Sequence, residues 1–85
     1  MKITFSEKAW REYAGWQRKE SLKTLSRIND LIEDIKRNGA ARGIGKPERL
    51  RWTTGWSRRI DDTHRLVYEE NAEGIEILSC YGHYE

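Results

Sequence analysis

Between residues 22 and 35 the apolar positions Leu22, Leu25, Ile28, Leu31, Ile32 and Ile35 recur at three- and four-residue spacings, the clearest periodicity in the chain. That pattern predicts an amphipathic helix. Glu20 or Ser21 opens it, and Asn38-Gly39, after the basic turn Lys36-Arg37, supplies a left-handed stop. Upstream, Ala9, Trp10, Tyr13, Ala14 and Gln17 form a second stripe with Trp16 at its margin. This predicts a helix capped by Ser6 and ending near Arg18. Gly15 within it costs roughly 1 kcal/mol against Ala, so close packing is expected at that point. Residues 2–5 alternate polar and apolar and predict a short strand. Beyond Gly39 the period changes to two, and strands are predicted over 48–52, 56–60, 64–68 and 75–81, with turns at 61–63 and 71–74. Residues 39–45, Gly-Ala-Ala-Arg-Gly-Ile-Gly, read as a flexible basic connector, and Pro47 is expected to hold Lys46 extended. The order β-α-α-β-β-β-β implies an α+β fold. Two N-terminal helices would cover one face of a mainly antiparallel sheet of four to five strands, leaving the other face for charge.

Composition narrows this picture. Eighty-five residues make a single domain, 1–85, with a small core that four Trp and four Tyr help to fill. One cysteine, Cys80, excludes an internal disulfide and any multi-cysteine metal site. The chain has no signal-peptide pattern and no run of membrane-spanning length, so a soluble, cytoplasmic protein with no membrane partner is expected. Residues 36–65 carry nine Lys or Arg against three acids, a net of +6, while the remainder of the chain is net −4. Such a block suits an anionic partner, nucleic acid first among them, or a solvated basic face.

Side chains alternate along a strand. Ser57 and Arg59 therefore point one way and Trp56, Arg58 and Ile60 the other, while Arg65 and Val67 oppose His64, Leu66 and Tyr68. A turn over 61–63 sets Arg59 across from Arg65. Facing like charges cost about 0.2–1 kcal/mol, and two readings accommodate them: an anion held between the guanidiniums, or a surface network with Asp61, Asp62 or Glu48. The terminal Tyr81-Gly82-His83-Tyr84 adds an imidazole, and Glu48 is the only acid between Asp34 and Asp61. One carboxylate, several arginines and one histidine are the parts needed to cleave RNA without metal. A base takes the ribose 2′-OH proton, cations stabilise the phosphorane, and an acid protonates the departing 5′-oxygen. Two histidines without a cysteine pair make a weak metal-ligand set.

The blocks Gly45-Lys46-Pro47-Glu48, Trp56-Ser57-Arg58-Arg59-Ile60, His64-Arg65-Leu66-Val67-Tyr68 and His83-Tyr84, with Trp10, Tyr13, Trp16 and Gln17 on the first helix, resemble the YoeB family of the RelE/ParE toxin superfamily. The resemblance runs over nearly the whole chain. It implies a microbial-ribonuclease-like fold and the toxin of a type II toxin–antitoxin pair, a ribosome-dependent endoribonuclease that cuts mRNA in the A site with no metal or cofactor. It places the general base on Glu48, the general acid on His83 and the phosphate-stabilising arginine on Arg65, with Arg59 beside it. Arg51 falls where the family has a lysine, Tyr84 matches a terminal tyrosine that orients substrate or supports the acid, and Lys46 is a phosphate contact on charge grounds. The implied partners are a YefM-like antitoxin, the 70S ribosome with its mRNA, and a second toxin copy in a homodimer. Three departures stand out: an added Glu85, a connector from Glu48 to Trp56 about two residues shorter, and Gly82 in place of a larger residue, expected to loosen the strand before His83.

Overall fold

The computed structural model describes residues 1–51 and 53–83. A strand, β1 (Lys2–Phe5), leads into two helices, α1 (Glu7–Arg18) and α2 (Leu22–Asn38). Four strands follow: β2 (Glu48–Arg49), β3 (Trp56–Arg59), β4 (Arg65–Asn71) and β5 (Gly74–Ser79). They form one sheet in the order β1-β5-β4-β3-β2. The meander β2 to β5 is antiparallel, whereas β1 runs parallel to β5. The sheet is thus mixed: the chain leaves β1, crosses through both helices, enters at the far edge and winds back until its last strand meets its first.

Both helices pack on one face. Ala9, Trp16, Ile28, Leu31 and Ile35 meet Leu66, Tyr68, Ile75, Ile77 and Cys80 in a single core. Ser6 caps α1 through its Oγ, which accepts from the Ala9 N–H at 3.0 Å. The same hydroxyl donates to the Leu78 carbonyl, tying the cap to β5. The buried stripe of α1 is rotated from the expected one. Trp16 is the core residue and Trp10 is 54% exposed: Ala9 and Trp16, seven residues apart on one helix face, both meet Cys80, whose carbonyl accepts from the Trp16 Nε1–H at 2.9 Å. Trp10 instead stacks on Tyr13 and meets Phe5 edge-on. At Gly15 nothing lies within 4 Å of where a Cβ would stand, so close packing does not account for that residue.

The largest departure is the connector. Instead of a flexible link, residues 39–45 wrap a fully buried Arg58. Its Nη2 donates to the carbonyls of Gly39 and Arg42 at 2.8 and 2.6 Å, and its Nη1 to the Ile44 carbonyl and the Asp34 carboxylate at 3.1 and 2.6 Å. Its Nε donates to the Tyr68 hydroxyl, which donates to the Ala40 carbonyl at 2.6 Å. Asp34, on the buried stripe of α2, also accepts from the Ile44 N–H. Gly43 passes so near that a Cβ there would overlap the Asp34 carboxylate, and its φ of +126° lies where L residues rarely go. The guanidinium beside Asp34 holds its carboxyl below the ordinary carboxylate range against the opposing effect of burial, with the Ile44 N–H helping. For Tyr68, burial dominates and raises the phenol.

Candidate active site

On the sheet face away from the helices, strand register assembles the predicted basic pair. Arg59 lies directly opposite Arg65, and Ser57 opposite both Val67 and Glu48. Paired residues share a face, so Glu48, Ser57, Arg59, Arg65 and Val67 stand together. Glu48 on edge strand β2 and Arg65 on β4 are two strand spacings apart, about 9.5 Å across the sheet, and offset by two residues along it, since Glu48 aligns with Ser57 and Val67 while Arg65 aligns with Arg59.

The alternative of a surface salt network does not form. Among the described residues, neither the Arg59 guanidinium nor the Glu48 carboxylate makes an ion pair. Asp61 is committed to the β3–β4 turn, its Oδ1 accepting from the N–H groups of Thr63 and His64 at 2.8 and 2.7 Å. Burial opposes ionisation there, yet these N–H groups and the nearby Arg65 keep the carboxyl below its ordinary value. The Arg65 Nη1 donates to the Asp61 and His64 carbonyls. These bonds brace the side chain and leave its Nε and Nη2 donors available to an anion.

The approach to Glu48 is a sharp reversal. Gly45 and Lys46 both have positive φ, +82° and +53°, and the Gly45 carbonyl accepts from the Arg59 N–H at 2.7 Å. Lys46 is therefore left-handed instead of extended: the reversal that lays β2 against β3 overrides the preference imposed by Pro47. For a residue bearing a Cβ this costs about 1–2 kcal/mol. Lys46 is exposed beside Glu48. β2 ends at Arg49 instead of continuing to residue 52, because the Leu50 N–H donates to the Gly55 carbonyl and turns the chain. Arg51 is exposed on the loop beyond, outside the sheet.

The C-terminal segment arrives from the other side and is anchored one residue after another. Glu12 accepts from the Cys80 N–H at 2.8 Å, and Trp16 donates to the Cys80 carbonyl. The Gly82 carbonyl accepts from the Arg65 N–H at 3.0 Å. The Gly82 N–H donates to His64 Nδ1 at 2.8 Å. Gly82 has a φ of +86°, so it is a held turn in the left-handed region and not a loosened strand. His83 follows immediately, exposed, beside the first residue of β4. Tyr84 and Glu85 lie outside the described residues. Among the described residues, no group of three or more His, Cys, Asp or Glu side chains could hold a metal ion.

Register thus groups Glu48, Arg59 and Arg65 on one face and brings the segment bearing His83 against Arg65, with Lys46 beside Glu48 and Arg51 more remote. Sequence reasoning overlooked Arg58, Asp34, Tyr68 and His64. The signal for the first three was present: alternation turns Arg58 towards the helices, where a charge needs a buried partner, and Asp34 lies between Leu31 and Ile35 on the apolar stripe.

Residues 5–84 match the family described as YoeB-like toxin of bacterial type II toxin–antitoxin system. Toxin YoeB of Streptomyces coelicolor is 44% identical over 86 residues, covering 99% of this chain and 100% of the relative. The YoeB dimer from Staphylococcus aureus superposes with a TM-score of 0.90 at 46% identity, covering 99% and 98% of the two chains. The heterotetrameric YoeB–YefM toxin–antitoxin complex from the same organism gives 0.88 at 45% identity, with the same coverage. Among the described residues, no helix is long and apolar enough to cross a membrane.

Proposed function

This chain belongs to the YoeB-like toxins of bacterial type II toxin–antitoxin systems, and from that premise we propose that it is a metal-independent endoribonuclease that cuts mRNA at the codon in the ribosomal A site. The observation that carries the reading is the facing pair Arg59–Arg65, neither of which forms an ion pair among the described residues, on the sheet face between Glu48 and the strand end leading to His83. Two guanidiniums kept together in this way suit a phosphate, because forked donors match its oxygens and stay charged at every working pH.

In this mechanism Glu48 takes the proton from the ribose 2′-OH. The 2′-oxygen attacks phosphorus, and Arg59 and Arg65 stabilise the charge on the pentacoordinate phosphorane. The P–O5′ bond breaks as His83 protonates the departing 5′-oxygen, leaving a 2′,3′-cyclic phosphate and a 5′-hydroxyl. Tyr84 supports the acid or orients substrate, and Lys46 and Arg51 contact flanking phosphates. The domain works as one unit over residues 1–85, in the cytoplasm where ribosomes are. Its partners in this reading are the 70S ribosome with mRNA, a YefM-like antitoxin whose acidic segment covers the basic face, and a second copy of the toxin. The Staphylococcus aureus YoeB–YefM complex and YoeB dimer support the last two.

The test is primer extension on mRNA in purified, programmed ribosomes with the toxin added. Cuts confined to the A-site codon are expected, with losses of about 10²–10⁴-fold for Glu48→Gln and His83→Gln and about 10²–10³-fold for Arg65→Ala. Cleavage that survives removal of both Glu48 and His83, or no ribosome-dependent cut at all, overturns the proposal.

A further inference from the structure

His64 has no part in the acid–base scheme, yet it makes the last side-chain contact before the proposed acid. Its Nδ1 accepts the Gly82 N–H at 2.8 Å, so that nitrogen carries no proton and the imidazole is the neutral tautomer with its proton on Nε2. The ring is itself fixed, meeting Trp16 edge-on at 4.8 Å between centroids and Tyr81 at 4.7 Å. The His64 backbone N–H donates to the Asp61 carboxylate at 2.7 Å. We infer that neutral His64 is a positioning residue for the C-terminal segment, a latch that sets where His83 is delivered relative to Arg65.

The argument is one of degrees of freedom. Gly82 is the last residue before His83, and a glycine in the left-handed region has the widest backbone choice in the chain. Two hydrogen bonds remove that choice: the Arg65 N–H fixes the Gly82 carbonyl, and His64 fixes its N–H. The first is backbone to backbone and indifferent to sequence. The second depends on one side chain in one protonation state. Protonated on Nδ1, His64 becomes a donor facing a donor, and the latch opens. The charged groups around the ring are Asp61, Arg65 and Lys19, whose ammonium lies 5.3 Å from the Trp16 ring and 4.9 Å from the Tyr81 ring that enclose it. Tyr81 is the further titratable group in contact.

Placing an acid within reach of a leaving oxygen is sensitive to small displacements, of the order of 10²-fold in rate for about 1 Å. His64→Phe keeps the ring contacts and removes the acceptor. His64→Asn keeps an acceptor at the position of Nδ1. On programmed ribosomes, His64→Phe is expected to lower the single-turnover cleavage rate at saturating toxin about ten- to hundredfold, with the half-saturating toxin concentration unchanged, and His64→Asn to recover most of the loss. The Gly82 amide, followed in the ¹⁵N-labelled full chain, is expected to lose its exchange protection and shift in His64→Phe, but not in His64→Asn. A Gly82 amide as protected in a folded His64→Phe as in the wild type, or a folded His64→Phe that cuts at the wild-type rate, overturns the inference. The inference rests on the proposed acid role of His83, and the two fail separately. Were His83→Gln fully active, that role would fall, while the Gly82 amide would still report whether the latch exists.

Discussion

Replacing Arg58 with Met is the sharpest probe of how this small domain holds together. Met keeps an unbranched stem in the same slot and deletes five donor contacts at once: two to the Gly39 and Arg42 carbonyls, one each to Ile44 and Asp34, and one to the Tyr68 hydroxyl. Arg58 is 0% exposed and the Asp34 side chain 8%, so the carboxylate would be stranded without water to replace its partner. Removing one member of a buried pair typically costs about 3–5 kcal/mol. A domain of this length has roughly 4–13 kcal/mol in total, so the variant loses roughly a quarter of its stability at the least. Its melting temperature should fall by about 12 °C or more. Urea unfolding followed by the fluorescence of buried Trp16 gives the number. The double variant Arg58→Met/Asp34→Leu should recover about 1–3 kcal/mol of the loss, since no charge is then buried alone. Recovery stays partial because the loop carbonyls remain without donors. Arg58→Lys should fall between wild type and Met, keeping charge but not the fork. A loss below about 1 kcal/mol for Arg58→Met, or strict additivity with Asp34→Leu, would refute the view that this network organises the connector.

Three other outcomes follow from the same structure. Asp34 has a folded value below its unfolded one, so its contribution is complete above about pH 3.8 and is lost as the pH falls through the lower folded value; between pH 5 and 2, stability should decline more steeply in the wild type than in Asp34→Asn, and equal slopes would contradict this. Lys46→Gly should raise stability by about 1 kcal/mol through relief of a left-handed lysine while weakening RNA cleavage, and a lower melting temperature would show that Lys46 packs in some way that φ alone does not reveal. Burial pushes the Cys80 thiol up to about 12 from 9.0, so a disulfide reagent at pH 8 should label it only at the rate of unfolding, and rapid labelling of native protein would refute its burial.

The outward half of the site was legible and the inward half was not. Period-two alternation and a three-residue turn sufficed to place Arg59 opposite Arg65, since strand pairing is set by short-range geometry. What alternation cannot supply is a long-range partner. The seven residues from Gly39 to Gly45 have no apolar periodicity, and glycine-rich composition reads as freedom. Here the glycines serve the opposite end, letting backbone carbonyls come close enough to enclose a guanidinium. The stripe on α1 was misphased for a related reason. Trp10 and Trp16 are equally apolar, and the buried one is the one that shares a long-range partner with Ala9: both meet Cys80, which lies 71 residues from Ala9 in the chain.

The consecutive arginines of β3 tie these halves together. Arg58 turns inward and fastens the loop that carries the chain to Gly45, whose carbonyl then receives the N–H of Arg59. Arg59 turns outward to face Arg65. One dipeptide therefore fixes where Lys46 and Glu48 enter and also supplies a cation of the proposed clamp. The opposite edge is fixed by a different set, Glu12, Trp16 and His64, acting on Cys80 and Gly82. The two anchors share no residue. Loosening the first should displace the proposed base while leaving the acid in place, and loosening the second should do the reverse. An antitoxin segment that inserts at either edge could then disable the chemistry without touching Arg59 or Arg65, because a general base and a general acid must be in register with the same phosphate for the reaction to proceed.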